Sequence, residues 1–189
     1  MTLRLLRLRY LGVLRCDAVV SPTPFVIDPA SGELILPLAR RDLDASEHVL
    51  HTPDESDSSL QLLLDPRPID PRADPGADRF AAFHGTSGLP ILARARVLAT
   101  RLAAEVLDEP DLRARLHLDE PRILRSINTD LDLRARTARF LGATASVVFV
   151  GADELGVDAR GTSGPWRIPL PREAADPADL LALLRETLP

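Results

Sequence analysis

PRILRSINTDLDLRARTARFLGATASVVFVGADELGVDARGTSGPWRIPLPREAADPADLLALLRETLP, residues 121–189, carries the clearest element order in the chain. Asp119 stands where a helix N-cap belongs, and Glu120 and Pro121 open the first turn. Leu124, Ile127, Leu131, Ala135, Ala138 and Leu141 then recur at steps of three or four, which predicts one helix of about six turns. Gly142 is placed to end it in a left-handed conformation. Ala145 to Val150 is rich in β-branched residues, and Gly151 to Glu154 supplies a turn. Leu155, Val157 and Ala159 alternate along the next strand. A second turn at Gly161 to Gly164 leads to a third strand carrying Trp166, Ile168 and Leu170. Asp176 caps a closing helix with Pro177 at its first position and Leu180, Leu181, Leu184 and Leu188 on its buried side.

Working back towards residue 1, the proline-broken run AVVSPTPFVI (18–27) suits a sheet edge, a bend or a bulge. Asp28-Pro29-Ala30-Ser31-Gly32 is a turn, and Glu33 to Leu38 completes a hairpin. Two further strands are expected at Glu47 to Thr52 and Ser59 to Leu64, joined by the acidic tip at residues 53–57. The proline-rich stretch 65–78 predicts a connector without helix or central strand. A short helix is expected at Arg79 to His84, stopped by Gly85. Ile91 to Arg101 fits strand or helix, with the alternation of Ile91, Ala93, Ala95 and Val97 favouring strand for its first part, and Leu102 to Leu118 favours helix, interrupted at Pro110. Leu3 to Leu14 partly alternates and suits a strand with one buried face.

Composition bounds the function. The 189 residues fit one large domain or two small ones, and 45% apolar content suffices for a core. A net charge of −5 argues against a nucleic-acid partner. All 23 basic residues are Arg, which excludes lysine Schiff-base chemistry and a P-loop lysine. The single cysteine, Cys16, has apolar neighbours and can form no internal disulfide, so a reducing cytoplasm is expected. Arginines recur through the first fifteen residues and interrupt any signal-peptide core, and no run is long enough to span a membrane.

Particular residues in residues 121–189 also carry a family resemblance. Asn128-Thr129-Asp130, the hairpin Gly151-Ala152-Asp153-Glu154-Leu155-Gly156-Val157-Asp158-Ala159-Arg160, the strand Trp166 to Leu170 and the turn Ala175 to Asp179 resemble the DUF2470 domain. Leu131 stands where that family carries a histidine. Ser21 to Leu38, and Asp78 to Gly85 followed by Ile91 to Val97, are similar to parts of the pyridoxamine-phosphate-oxidase-like, FMN-binding split barrel. Together they resemble the HugZ-type heme-utilisation superfamily.

The fold class expected is therefore α+β. A divergent split-barrel-like antiparallel β domain would occupy 1–101, and a small α-β-β-β-α domain 119–189. The resemblance implies a homodimer formed through the barrel. It also implies a flavin (FMN) or tetrapyrrole (heme) ligand, although a chain holding neither cofactor fits the residues as well. The role expected is ligand binding or interaction without intrinsic catalysis. The alternative is a flavin-dependent oxidoreductase or a heme-binding, heme-degrading enzyme.

Each candidate site residue has two readings. Arg40 and Arg41 can fork onto a flavin phosphate, or form a surface turn with Asp42 and Asp44. Acidic residues and an expected strand follow them, where flavin-binding members carry a basic helix. His84 can ligate heme, or cap its helix. His48 and His51 lie three apart on an expected strand and so face opposite sides, which disfavours a metal site with Asp54, Glu55 and Asp57. No metal site is expected. Asp153 suits an Asx-type turn and Asp158 a strand position rather than an acid–base pair. Ser163 has no histidine near it in sequence to form a triad, and Trp166 is expected in the core.

Overall fold

The computed structural model describes residues 6, 10–53, 59–85, 91–103, 105–107, 111–143 and 146–189. The chain is α+β and divides into two compact units, Met1–Arg113 and Ala114–Pro189.

In the first unit, β1 (Leu11–Cys16), β2 (Val19–Pro24), β3 (Val26–Ile27), β4 (Leu34–Leu38), β5 (His48–Thr52), β6 (Leu60–Pro68), β7 (Ile91–Leu102) and β8 (Glu105–Leu107) form one antiparallel sheet. Its order is β2-β1-β5-β6-β7-β4-β3, with β8 paired to β7. β2 and β3 lie at opposite ends of that order, yet only Phe25 separates them along the chain. A sheet whose two edges are one continuous segment has to curl, and the result is a split-barrel-like half-barrel. Pro22 and Pro24 sit in this edge segment, where a missing N–H costs no ladder bond.

Alternation sends Leu14, Leu34, Leu36, Leu38, Leu50, Leu62, Leu64, Ala93, Ala95 and Val97 into one core with Phe25. Ile35, on the opposite face of β4, packs against α1 (Pro75–His84), whose Gly76 leaves no room for a Cβ beside it. Asp74 caps α1 by accepting from the Gly76 N–H at 2.7 Å.

Several expectations change here. The strand expected over Leu3–Leu14 lies partly outside the described residues. Leu6 is helical, and the first strand begins at Leu11. Leu3, Leu6 and Tyr10 also fall at helical spacing, which competes with the alternation. β6 runs through Pro66 and Pro68, which pair with Ala95 and Ala93 of β7. β5 begins at His48, opposite Leu64, so beyond that point β6 is an edge on one side and the prolines are tolerated. The helix starts at Pro75 rather than Arg79. Asp74-Pro75 is its start signal, hidden among the neighbouring prolines.

The helix expected from Leu102 does not form. Ala103 turns at φ 53° and β8 folds back on Thr100–Leu102, so edge pairing overrides helix propensity. Residues 108–110 and the acidic tip 53–57, apart from Pro53, lie outside the described residues.

The second unit contains α2 (Glu120–Thr129), α3 (Leu131–Phe140), the meander β9 (Val148–Asp153), β10 (Gly156–Gly161) and β11 (Gly164–Pro169), and α4 (Pro177–Thr187). The six-turn helix is thus two helices. Asp130 has ψ 95° and caps α3 through the Leu133 N–H at 3.0 Å. Thr129 Oγ1 donates back to the Arg125 and Ser126 carbonyls, and Leu131 is 74% exposed instead of buried. The Asp119 side chain makes no cap bond and accepts from Arg122 instead.

Asn128 explains part of the break. Its amide donates to the Phe149 carbonyl and accepts the Phe149 N–H, both at 2.9 Å, so it pairs with β9 as a strand residue would. Gly142 does adopt a left-handed φ of 62°. Asp176 caps α4 through the Ala178 and Asp179 N–H groups. Trp166 is half-buried, and its ring fills the space over Gly161. Ile127, Phe149, Val157, Ile168, Leu180 and Leu184 form the core of this unit. Among the described residues, no helix is long and apolar enough to cross a membrane.

Two substitutions test this packing by urea denaturation. Asn128→Leu strands both Phe149 backbone groups and should cost about 1–3 kcal/mol. Thr100 carries a buried Oγ1 without a hydrogen-bond partner among the described residues, so Thr100→Val should be neutral or stabilising by up to about 1 kcal/mol. A clear loss in the valine variant would show that the hydroxyl has a partner.

Candidate functional site

The side chains singled out in the sequence fall into separate settings. Arg40 and Arg41 lie on a 3-10 turn (Arg40–Asp42) after β4, and both are exposed. Arg41 Nε stands 3.4 Å from the Asp42 carboxylate. His84 ends α1, and its Nε2 donates to the Phe25 carbonyl at 3.1 Å. Its ring lies 4.7 Å from that of Phe80 and is edge-on to Tyr10. A ring donating through Nε2 leaves only Nδ1 for a metal. The Gly85 N–H caps the helix through the Ala81 carbonyl.

His48 is buried and donates through Nε2 to the Asp42 carbonyl at 2.6 Å. It follows β5 alternation with Leu50, on the face opposite His51. No group of three potential metal ligands occurs among the described residues. Cys16 is buried, and that burial, with Asp42 and Asp17 nearby, pushes its thiol up to about 11. It is therefore a thiol and not a thiolate near neutrality.

Asp153 and Asp158 meet on Arg167. The guanidinium donates to both Asp158 oxygens at 2.9 and 3.0 Å and to Asp153 Oδ1, with all three side chains at most 10% exposed. Asp153 Oδ1 also accepts the Leu155 N–H, making the expected Asx-type turn. These carboxylates hold the meander together. Ser163 is exposed in the β10–β11 turn.

A setting that can hold a ligand, not apparent in the sequence, lies in the first unit. A cleft of about 500 Å³ in the first unit is lined by the turn Ser31-Gly32-Glu33, by Arg96 and Val97 of β7, and by Asp111-Leu112-Arg113. Its size is within the usual range of small-molecule sites. Val97 and Leu112 are its apolar floor, each at most 5% exposed. Gly32 has φ 77°, and a Cβ there would stand about 3.0–3.2 Å from residues 112 and 113, so glycine lets the two walls approach. Arg113 grips Asp111 through Nε and Nη2, each at 2.9 Å.

Behind the turn lies a charged hub. Arg94 donates to Asp74 at 2.7 and 2.8 Å, to Asp28 at 2.5 Å, and to Glu33 and Ser31 at 3.4 Å. Asp28 also accepts the Ala30 and Ser31 N–H groups. One guanidinium therefore fixes β7, the β3–β4 turn and the cap of α1. Only tertiary structure gathers these residues. The one sequence signal was the Asp28–Gly32 turn.

No protein-family model matches the chain, and no curated protein matches it. Among solved structures, a protein of unknown function from Agrobacterium tumefaciens str. C58 is similar with a TM-score of 0.68 at 17% identity. The match covers 98% of this chain and 93% of that one. That likeness is one of fold. A heme-binding protein from Mycobacterium smegmatis is similar with a TM-score of 0.44 at 16% identity, over the same shares of the two chains. It is too distant to carry an argument.

The hub makes stability depend on pH. Burial pushes Asp28 upward, but its bonds from Arg94, Ala30 and Ser31 outweigh this and hold it below the usual carboxylate range. The Arg94 hydrogen bond holds Asp74 down as well. Both carboxyls are thus more acidic folded than unfolded. Their stabilisation is complete above the unfolded value of about 4 and is lost as pH falls through the folded values. Arg94→Leu should cost about 2–3 kcal/mol at pH 7, less than a fully buried pair because the hub keeps partial exposure. It should also move acid unfolding to higher pH. Urea and acid titrations followed by circular dichroism check both, and an unchanged acid midpoint would remove the hub from the account.

Proposed function

We propose that this chain is a non-catalytic binding protein whose curled sheet presents the 31–33/96–97/111–113 cleft to a small molecule. The observation that carries the proposal is the cleft itself, with an apolar floor inside a ring of charged side chains. A binding role suits that ring better than catalysis. Arg113 is engaged by Asp111, and Glu33 is drawn towards Arg94, so neither is poised to exchange a proton.

A finer reading gives the first unit a flavin or tetrapyrrole as a divergent relative of the FMN and heme split barrels, and the second unit the part of a DUF2470 domain. Arg40 and Arg41 support the flavin version, being adjacent and exposed with forked donors of the kind that grip phosphate. His84 supports the heme version, since its half-buried imidazole lies on an aromatic shelf beside Phe80 and Tyr10. Either version includes a homodimer through the barrel and a cytoplasmic location. If a cofactor is bound, it supplies redox chemistry and these residues supply placement.

Amide chemical shifts of the full chain against a fragment library test the main proposal. Saturable shifts are expected at Gly32, Glu33, Arg96 and Val97, and a library that moves none of them overturns it. Absorbance titrations with FMN and with hemin test the finer reading. If FMN binds, Arg40→Ala with Arg41→Ala should weaken it at least about tenfold, and unchanged affinity would place the flavin elsewhere. If hemin binds, His84→Ala should shift its Soret band. Light scattering reads the dimer.

A further inference from the structure

We infer that the prolines inside the strands are stops, which keep flanks of β2, β4, β6 and β11 from accepting a further strand, be it an extended peptide or a second copy of this chain. The inference stands apart from the ligand reading. Seven prolines lie within strands among the described residues. They are Pro22 and Pro24 in β2, Pro37 in β4, Pro66 and Pro68 in β6, and Pro165 and Pro169 in β11. In an antiparallel ladder, hydrogen-bonded and non-hydrogen-bonded pairs alternate. A residue in a non-bonded pair turns its backbone groups away from that neighbour.

Nearby backbone bonds fix the phase of each ladder. The Phe25 N–H donates to the Tyr10 carbonyl, so Val13↔Pro22 and Leu11↔Pro24 are non-bonded pairs and both ring nitrogens face away from β1. The Ile69 N–H donates to the Leu92 carbonyl, which turns Pro66 and Pro68 away from β7. The Leu170 N–H donates to the Leu155 carbonyl, which turns Pro165 and Pro169 away from β10. The Asp28 N–H donates to the Glu33 carbonyl, so Ile35 turns towards β3 and Pro37 turns to the same side.

Tolerance alone would put a proline at some of these outward positions, whereas here proline nearly fills them. Past Leu64 both outward positions of β6 are proline, and past Ile35 the outward position of β4 is proline. β2 adds only Val20 and β11 only Arg167, so seven of nine outward positions on these flanks lack an N–H. The β3–β4 register also sets Pro24 opposite Pro37, so that ladder stops at a pair without a donor. β9 has no proline, and side chains close it instead. Asn128 Oδ1 accepts its outward Phe149 N–H and Glu120 Oε1 its outward Ala152 N–H. The need is greatest at β2, where exposed Val19 and Val20 make an apolar, β-forming edge.

Sedimentation of the full chain tests this, with thermal melts to show that each variant is folded. Pro22→Val restores a donor beside Val20 and should raise the weight-average mass at least about twofold over the wild type at equal concentration, as strand pairing between copies requires. Amides at positions 20 and 22 should then exchange slowly. Pro22→Lys restores the same N–H but adds a charge that blunts an edge, and it should sediment as wild type. Pro171→Val, at an exposed proline outside any strand, should do the same. A folded Pro22→Val that sediments as wild type overturns the inference. Equal association of Pro22→Lys or Pro171→Val overturns it too, because general loosening and not an opened edge would then be the cause. If Pro22→Val does not fold, Pro165→Val with Pro169→Val decides the matter on β11 by the same mass criterion.

Discussion

The first unit depends on a single constraint at Phe25. The residues on either side of it belong to opposite edges of the same sheet, so the sheet curls until those edges meet. The surrounding bonds secure that joint. The Phe25 N–H donates to the Tyr10 carbonyl, its carbonyl accepts from His84, and Arg79 Nε reaches the Ile27 carbonyl at 2.9 Å. Phe25 itself is fully buried. Once the curl is set, the inward leucines of β4 and β6 face one another. The β3–β4 turn is then held where it walls the cleft.

Arginine is the second theme. With no lysine in the chain, every long cation carries a planar fork of five donors. Arg94 uses that fork to join three segments of the first unit. In the second unit Arg167 joins two buried carboxylates, and Arg134 and Arg115 reach the Val147 and Ala174 carbonyls. Arg136 gathers the carbonyls of Arg185, Leu188 and Pro189 at the end of α4. A lysine has one small charge centre and could not span such sets. The residues behind the DUF2470 resemblance act in the same structural way. Asn128 clamps β9, Asp130 caps α3, and Asp153 and Asp158 hold Arg167.

Legibility followed the range of the interaction. The β3–β4 hairpin, the β9–β11 meander, the Asp176 cap and the Gly142 terminus rest on contacts within a few residues, and they read correctly. The errors arose where a distant partner intervened. Leu102–Leu118 has helical composition, but β7 offered an unpaired edge and captured residues 105–107. The stripe through Leu131 pointed to one helix, but Asn128 is held by Phe149, which is 21 residues away, and Asp130 caps a new start. Pro66 and Pro68 argued against a strand, because nothing local shows that β5 begins only at His48 and so leaves their flank free.

The amino-acid order by itself determined most of the element types, most of the turns and caps, the α+β class and the exclusion of lysine chemistry. These follow from local sterics and short hydrogen bonds, which each segment carries with it. Tertiary structure alone decided the curl at Phe25, the Arg94 hub and the cleft. Ser31, Arg96 and Arg113 are unremarkable one by one, and they become neighbours only when strands far apart in the chain are laid side by side.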